Sequence, residues 1–171
     1  MTTKIFTDGS CLGNPGAGGY AAVIIDTAGK CFEISGGEAY TTNNRMELTA
    51  AIVALKKIPA GSSVELFTDS SYLKNAFTQG WLANWKRCNW KNAAKKSVLN
   101  KDLWLELDAL ISRHNVKFHW IKGHAGHPLN ERCDQLARAE AALIKLRTPP
   151  ESIPPAAKNF NKSPVQLSLF E

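Results

Sequence analysis

Two acids recur in the same short phrase. Phe6-Thr7-Asp8-Gly9-Ser10 and Phe67-Thr68-Asp69-Ser70 each set a carboxylate just past a run of β-branched and aromatic residues, the composition of a strand. Side chains alternate across a strand with a period of two, so Asp8 shares a face with Phe6 and Asp69 with Phe67. If the strands lie parallel and adjacent, the two carboxylates stand about 5 Å apart. Ionised carboxylates that close repel, so either one holds a proton or a cation lies between them. A divalent metal ion is the natural cation for oxygen donors. Each Asp alone could do no more than open a turn or cap a helix. The repetition favours chemistry.

One further acid could join them. Glu47 falls on a helix expected over 45–58, in line with Ala50, Ala51, Ala54 and Ile58. That small-residue side can approach a sheet closely, and an acid in the first turn would point at the strand ends. The competing reading of Asn44-x-x-Glu47 is a capping box. Asp134 shares a helical stripe with Asn130, Arg138 and Ala141; its plainer role is an i,i+4 ion pair with Arg138. His124 lies in a Gly-flanked loop, where its plain reading is a loop histidine. His124 and His127 lack the Cys spacing of a zinc site.

The elements that must position these groups follow from pattern. Strand 4–7 is expected to stop at Gly9, and the five glycines and Pro15 of residues 9–19 read as a hairpin loop. No Gly-Lys-Ser/Thr follows, which argues against a phosphate cradle. Strands are expected at 20–26 and at 31–35, the second ended by Gly36-Gly37. Met46, Ala50, Val53 and Ala54 give the following helix an inward stripe. A strand at 64–70, a short helix at 71–77, an amphipathic helix at 99–112 and a strand at 116–121 come next. Pro128 opens the last helix, whose Cys133, Leu136 and Ala137 can face a core. The expected fold class is α/β: an antiparallel three-stranded meander plus two parallel strands, forming a mixed five-stranded sheet flanked by helices.

Composition narrows the class. A chain of 171 residues with 44% hydrophobic and 21% charged residues suits one globular domain with a tail. Its net charge of +6 points toward polyanions. The dispersed Cys11, Cys31, Cys88 and Cys133 indicate neither a disulfide framework nor a zinc knuckle. With no signal peptide and no apolar run of membrane-spanning length, the expectation is a soluble protein of the cytoplasm. Residues 82–101 contain no acid, yet carry Trp85, Trp90, Lys86, Arg87, Lys91, Lys95, Lys96 and Lys101 just after Trp81. Trp81 and Trp85 share a helix face. Some of these tryptophans could be core, but unpartnered positive charges among aromatics suit a nucleic-acid groove.

Four ordered blocks carry a resemblance. Residues 7–16 (TDGSCLGNPG), 41–48 (TTNNRMEL), 68–70 (TDS) and 123–134 (GHAGHPLNERCD) resemble bacterial type 1 ribonuclease H, over about residues 3–145. The resemblance implies an endonuclease that hydrolyses the RNA strand of RNA–DNA hybrids with two Mg²⁺ ions (Mn²⁺ as an alternative), leaving 5′-phosphate and 3′-hydroxyl ends. Asp8, Glu47, Asp69 and Asp134 would be the metal ligands, and His124 would assist proton transfer or product release. Cys11, Asn14, Asn43 and Asn44 match positions that touch the hybrid, some at RNA 2′-hydroxyls. Trp81, Trp85, Lys86 and Arg87 match a basic protrusion on the DNA strand, and Thr42 and Asn84 a phosphate pocket. Ser71 departs from the family, where a longer polar side chain such as Gln is common. Primer and R-loop removal are the implied roles, performed by a monomer. Rival readings are a non-catalytic hybrid-binding module, which the four acids disfavour, and a DNA nuclease of the same fold.

The expected domain spans 1–147. Residues 148–171 are rich in proline and nearly uncharged, which reads as a flexible tail. Its end, Gln166-Leu167-Ser168-Leu169-Phe170, resembles the pentapeptide by which bacterial replication proteins dock on the DNA sliding clamp through Gln166, Leu167, Leu169 and Phe170.

Overall fold

A computed structural model describes residues 1–122 and 126–149. The elements run β1 (Thr3–Leu12), β2 (Gly16–Ile25), β3 (Cys31–Thr41), α1 (Asn43–Lys57), β4 (Ser63–Thr68), α2 (Ser71–Thr78), α3 (Trp81–Arg87), α4 (Lys101–Arg113), β5 (Asn115–Trp120) and α5 (Pro128–Arg147). The strands form one five-stranded sheet in the order β3-β2-β1-β4-β5. β1 pairs antiparallel with β2 and β2 with β3, while β4 lies parallel to β1 and β5 parallel to β4. This is the mixed sheet expected from the sequence. No described helix is long and apolar enough to cross a membrane.

Helices cover both faces. One core gathers Ile5, Leu48, Leu55, Leu66, Trp104 and Leu107 beneath α1 and α4. A smaller one gathers Phe6, Ala21, Val23, Cys133 and Ala137 beneath α5. Neighbouring residues Ile5 and Phe6 thus serve opposite faces, as a period of two requires. The α1 stripe is broader than its sequence suggests: Met46, Leu48, Ala50, Ala51, Ile52, Ala54 and Leu55 are all buried, while Val53 is only half-buried. A helix apolar nearly all round is one enclosed by its neighbours, and α1 packs against β1, β2, β3, α2 and α4.

Two glycine readings are corrected. β1 runs through Gly9 to Leu12, and β3 runs through Gly36-Gly37 to Thr41. Gly9 is no stop signal. A Cβ there would lie 2.5 Å from the Glu47 amide nitrogen and 2.6 Å from the Met46 carbonyl carbon, so the glycine lets α1 press directly onto the strand. In β3, Gly37 pairs with Gly19, and both face α5 where a Cβ would collide with Ile144 and Ala137 respectively. Only the tight turn at 13–15 remains of the supposed loop 9–19.

The capping-box alternative is also overturned. Thr42 is the N-cap of α1, its Oγ1 accepting from the Arg45 amide at 3.3 Å. Asn44 is already inside the helix, and Glu47 lies one turn in, free of any capping duty.

Candidate active site

The sheet's α5 face is built in cross-strand rows. Phe6 pairs with Phe67, and Phe67 with His119. Their rings stack, with centroids 4.6 Å apart at both steps. His127, at the start of α5, stacks on Phe6 at 4.9 Å. Two residues beyond this aromatic row, Asp69 lies just past the carboxyl end of β4, beside Asp8 on β1, where the parallel pairing of the two strands has ended. Ligands gather at such strand ends in open α/β sheets. Ser70 caps α2 by accepting from the Leu73 amide at 3.2 Å, so the neighbouring Asp69 has no capping role to play.

Glu47 completes the cluster. Oxygens of Asp8, Glu47 and Asp69 all lie within 4.8 Å of one another. The close approach at Gly9 is what makes this possible. Asp8 accepts a hydrogen bond from the Gly9 amide at 2.9 Å, and the second Glu47 oxygen is buried without a hydrogen-bond partner. Asp134 reaches the same cleft from α5 at its rim, 39% exposed, with Arg138 donating to it at 2.9 Å. The i,i+4 ion pair is therefore real, and it does not remove Asp134 from the site.

The charges are frustrated. Burial first, then the Asp69 charge, push Asp8 up from the ordinary carboxylate range to about 7. Burial first, then the charges of Asp8 and Asp69, drive Glu47 well above its usual range. Three convergent hard oxygens, repelling one another and including an unpartnered buried one, fit a divalent cation. The alternative left open by the sequence, a proton or a cation, resolves here into competition between the two.

Around the carboxylates, the cleft of about 340 Å³ is lined by Asn43, Asn44, Ser71, Ser10 and Tyr72 among others. Asn14 lies beside them, its Oδ1 accepting from the Asn43 amide at 2.9 Å. The Cys11 thiol donates to the Thr41 carbonyl at 3.3 Å. Tyr72 has no signal in the sequence beyond its nearness to Asp69 in the chain, whereas Ser10 stands where its place two residues after Asp8 puts it. His124 lies outside the described residues, as do Gln166, Leu167, Leu169 and Phe170.

The basic segment differs from its sequence reading in two respects. Lys86 has a partner, Asp108 on α4, at 3.2 Å, so the absence of local acids did not mean absence of acids in space. Trp85 and Trp90 are both only 9% exposed, with Trp85 packed 5.4 Å from Trp104. They anchor the segment to the core. Trp81 is half-buried, and the Asn84 amide oxygen accepts from Arg87 at 3.2 Å.

Comparisons with known proteins agree with this geometry. A family model described as RNase H matches residues 1–142. The ribonuclease H of Oleidesulfovibrio alaskensis is 56% identical over 138 residues, covering 81% of this chain and 89% of its own. That of an Escherichia coli O139:H28 strain is 57% identical over 138 residues, covering 81% and 88%. Among solved structures, LC9-RNase H1, a type 1 RNase H with the type 2 active-site motif, superposes with a TM-score of 0.72 at 31% identity, covering 82% of this chain and 72% of that one. LC11-RNase H1, solved in complex with RNA/DNA hybrid, gives 0.60 at 25% identity, covering 83% and 98%. Matched along most of its length, and with its acids gathered at the strand ends, the chain belongs to the ribonuclease H family of nucleases.

Proposed function

We propose that the protein hydrolyses the RNA strand of RNA–DNA hybrids, using two Mg²⁺ ions and leaving 5′-phosphate and 3′-hydroxyl ends. The observation that carries this reading is the Asp8–Glu47–Asp69 cluster within 4.8 Å, open to a cleft that Asp134 also lines. Asp8, Glu47, Asp69 and Asp134 would hold the ions. When bound, the ions supply charge that activates a water and steadies the leaving 3′ oxygen. Ion binding and protonation would compete for the same Asp8 and Glu47 oxygens, both of which are pushed above the ordinary carboxylate range. Asn43, Asn44 and Ser71 present amides and a hydroxyl to the cleft, groups able to read 2′-hydroxyls, with Cys11 and Asn14 beside them. The shorter Ser71 would reach less far than the Gln common in relatives. Thr42 and Asn84 would meet a phosphate, and the segment carrying Trp81, Trp85, Lys86 and Arg87 would lie along the DNA strand. His124 would assist proton transfer or product release. The enzyme would act as a cytoplasmic monomer in primer and R-loop removal.

The direct test offers labelled RNA–DNA hybrid, duplex DNA and duplex RNA with Mg²⁺, alongside Asp69→Asn. Cleavage is expected only in the hybrid's RNA strand, and to fall by at least about a hundredfold in the variant. Tight hybrid binding without cleavage would establish a binding module instead, and cleavage of duplex DNA a different substrate.

The tail motif supports one further partner. Three large apolar side chains, Leu167, Leu169 and Phe170, end a proline-rich stretch and suit docking on the DNA sliding clamp, where a covalent tether raises local concentration. Deleting residues 166–171 should abolish clamp binding in a pull-down and leave cleavage of free hybrid intact. Clamp retention by the truncated chain refutes the docking role.

A further inference from the structure

The basic segment is rooted at two places. At its base, the Val98 amide donates to the Trp90 carbonyl at 3.0 Å, a bridge joins Lys91 and Ser97, and Trp90 and Val98 are both buried. These contacts hold the segment to itself and to the core. At its exit stands Asn100, 8% exposed, in the left-handed region at φ +60°.

Asn100 occupies the N-cap of α4, where an Asn side chain ordinarily accepts from the second or third helical amide. Here it makes no such bond. Its Oδ1 accepts from the Arg45 guanidinium at 3.3 Å, and its Nδ2 donates to the Tyr72 hydroxyl at 3.2 Å. Both partners are held from behind. Arg45 donates to both carboxylate oxygens of Asp102, at 3.0 and 2.8 Å, and the Trp104 indole donates to the Tyr72 hydroxyl at 2.9 Å. Arg45 lies two residues before Glu47, and Tyr72 three after Asp69. One amide side chain therefore joins the exit of the basic segment to the two helix turns that follow or carry the catalytic carboxylates.

We infer that Asn100 is a positioning residue that holds segment 86–96 in fixed relation to the carboxylate cleft, so that a hybrid seated in one is aligned with the other. This rests on the hybrid-cleavage reading, in which that segment grips the DNA strand. The diverted cap is the telling observation: the side chain forgoes stabilising its own helix and spends one polar atom on Tyr72, which lines the cleft, and the other on Arg45, next in the chain to the cleft residue Asn44.

Asn100→Gly tests the inference because glycine keeps the left-handed backbone and removes only the amide. kcat/KM is measured on a short hybrid confined to the cleft and on a long one that reaches segment 86–96. The long-to-short ratio should fall by about tenfold, the scale of one lost buried hydrogen-bonding group, with the loss in KM rather than kcat. Asn100→Asp, which keeps the acceptor for Arg45 and loses the donor to Tyr72, should fall between. The ratio is taken on one preparation, so partial unfolding cancels. An unchanged ratio overturns the inference, because a merely structural Asn100 would depress both substrates alike. A wild type that cleaves both hybrids equally overturns it too, since the segment then aligns nothing. A wild type that cleaves neither overturns the functional reading itself.

Discussion

Asp8→Asn should make the metal-free protein more stable and the enzyme inactive. In EDTA at pH 8, wild type carries an Asp8 carboxylate whose folded pKa, about 7, stands far above the ordinary 3.8. A raised carboxylate pKa means that the folded state binds protons more tightly than the unfolded one. Its contribution is complete below pH 3.8, is lost as pH rises toward 7, and is absent above. The difference corresponds to about 4 kcal/mol, shared between Asp8 and Glu47 because the two titrate as a pair. An amide is neutral at every pH and avoids this loss. Urea unfolding should therefore find the variant more stable than wild type by roughly 2–4 kcal/mol at pH 8, with little gap near pH 4. Mg²⁺ should narrow the gap at pH 8, because ion binding stabilises only the chain that can load. Equal stability at pH 8 without metal would mean that the carboxylates do not strain the folded state. Hydrolysis should fall by at least about a hundredfold in the same variant.

Gly19→Ala should destabilise the fold strongly, although it adds only one methyl group. A Cβ at Gly19 would overlap the Ala137 carbonyl oxygen and come within 2.8 Å of the Ala141 amide nitrogen. Both are helix backbone, which cannot swing aside as a side chain would. α5 must lift from β2, opening the small core around Val23, Cys133 and Ala137. The expected cost is about 3 kcal/mol, or roughly 10 °C in Tm. Activity should fall less than in Asp8→Asn, because α5 carries Asp134 while Asp8, Glu47 and Asp69 stand on other elements. Gly29→Ala is the control. Gly29 sits at positive φ, +80°, and nothing lies within 4 Å of an added Cβ. It should cost only about 1 kcal/mol of backbone strain and leave cleavage unchanged. Similar melting temperatures for the two variants would refute the close-contact account of Gly19.

Much of the site was legible because its logic is local. Phe6-Thr7-Asp8 and Phe67-Thr68-Asp69 are the same three-residue pattern, and strand alternation alone sends both acids to one face. The order of strands and helices follows from period and punctuation, and parallel addition of β4 follows from the helix that crosses before it. What local pattern could not decide is which neighbour a residue meets across the fold. Gly9 has the chemistry of a stop and the chemistry of a close approach alike; only the packed α1 shows which applies. Lys86 looks unpaired until α4 brings Asp108 to it, and Trp85 and Trp90 look available until Trp104 closes over the first of them. Asn100 passes unremarked within the helix expected over 99–112; the fold puts it at the N-cap of α4 and brings Arg45 and Tyr72 to it from 55 and 28 residues away. By itself the sequence determined the strand phrases, the carboxylates and their common face. The tertiary structure decided how deeply they are buried, how strongly they repel, and what aligns the rest of the molecule with them. The physical reason is that alternation and helical period act within a few residues, whereas desolvation, charge coupling and hydrogen-bond choice depend on groups far apart in the chain.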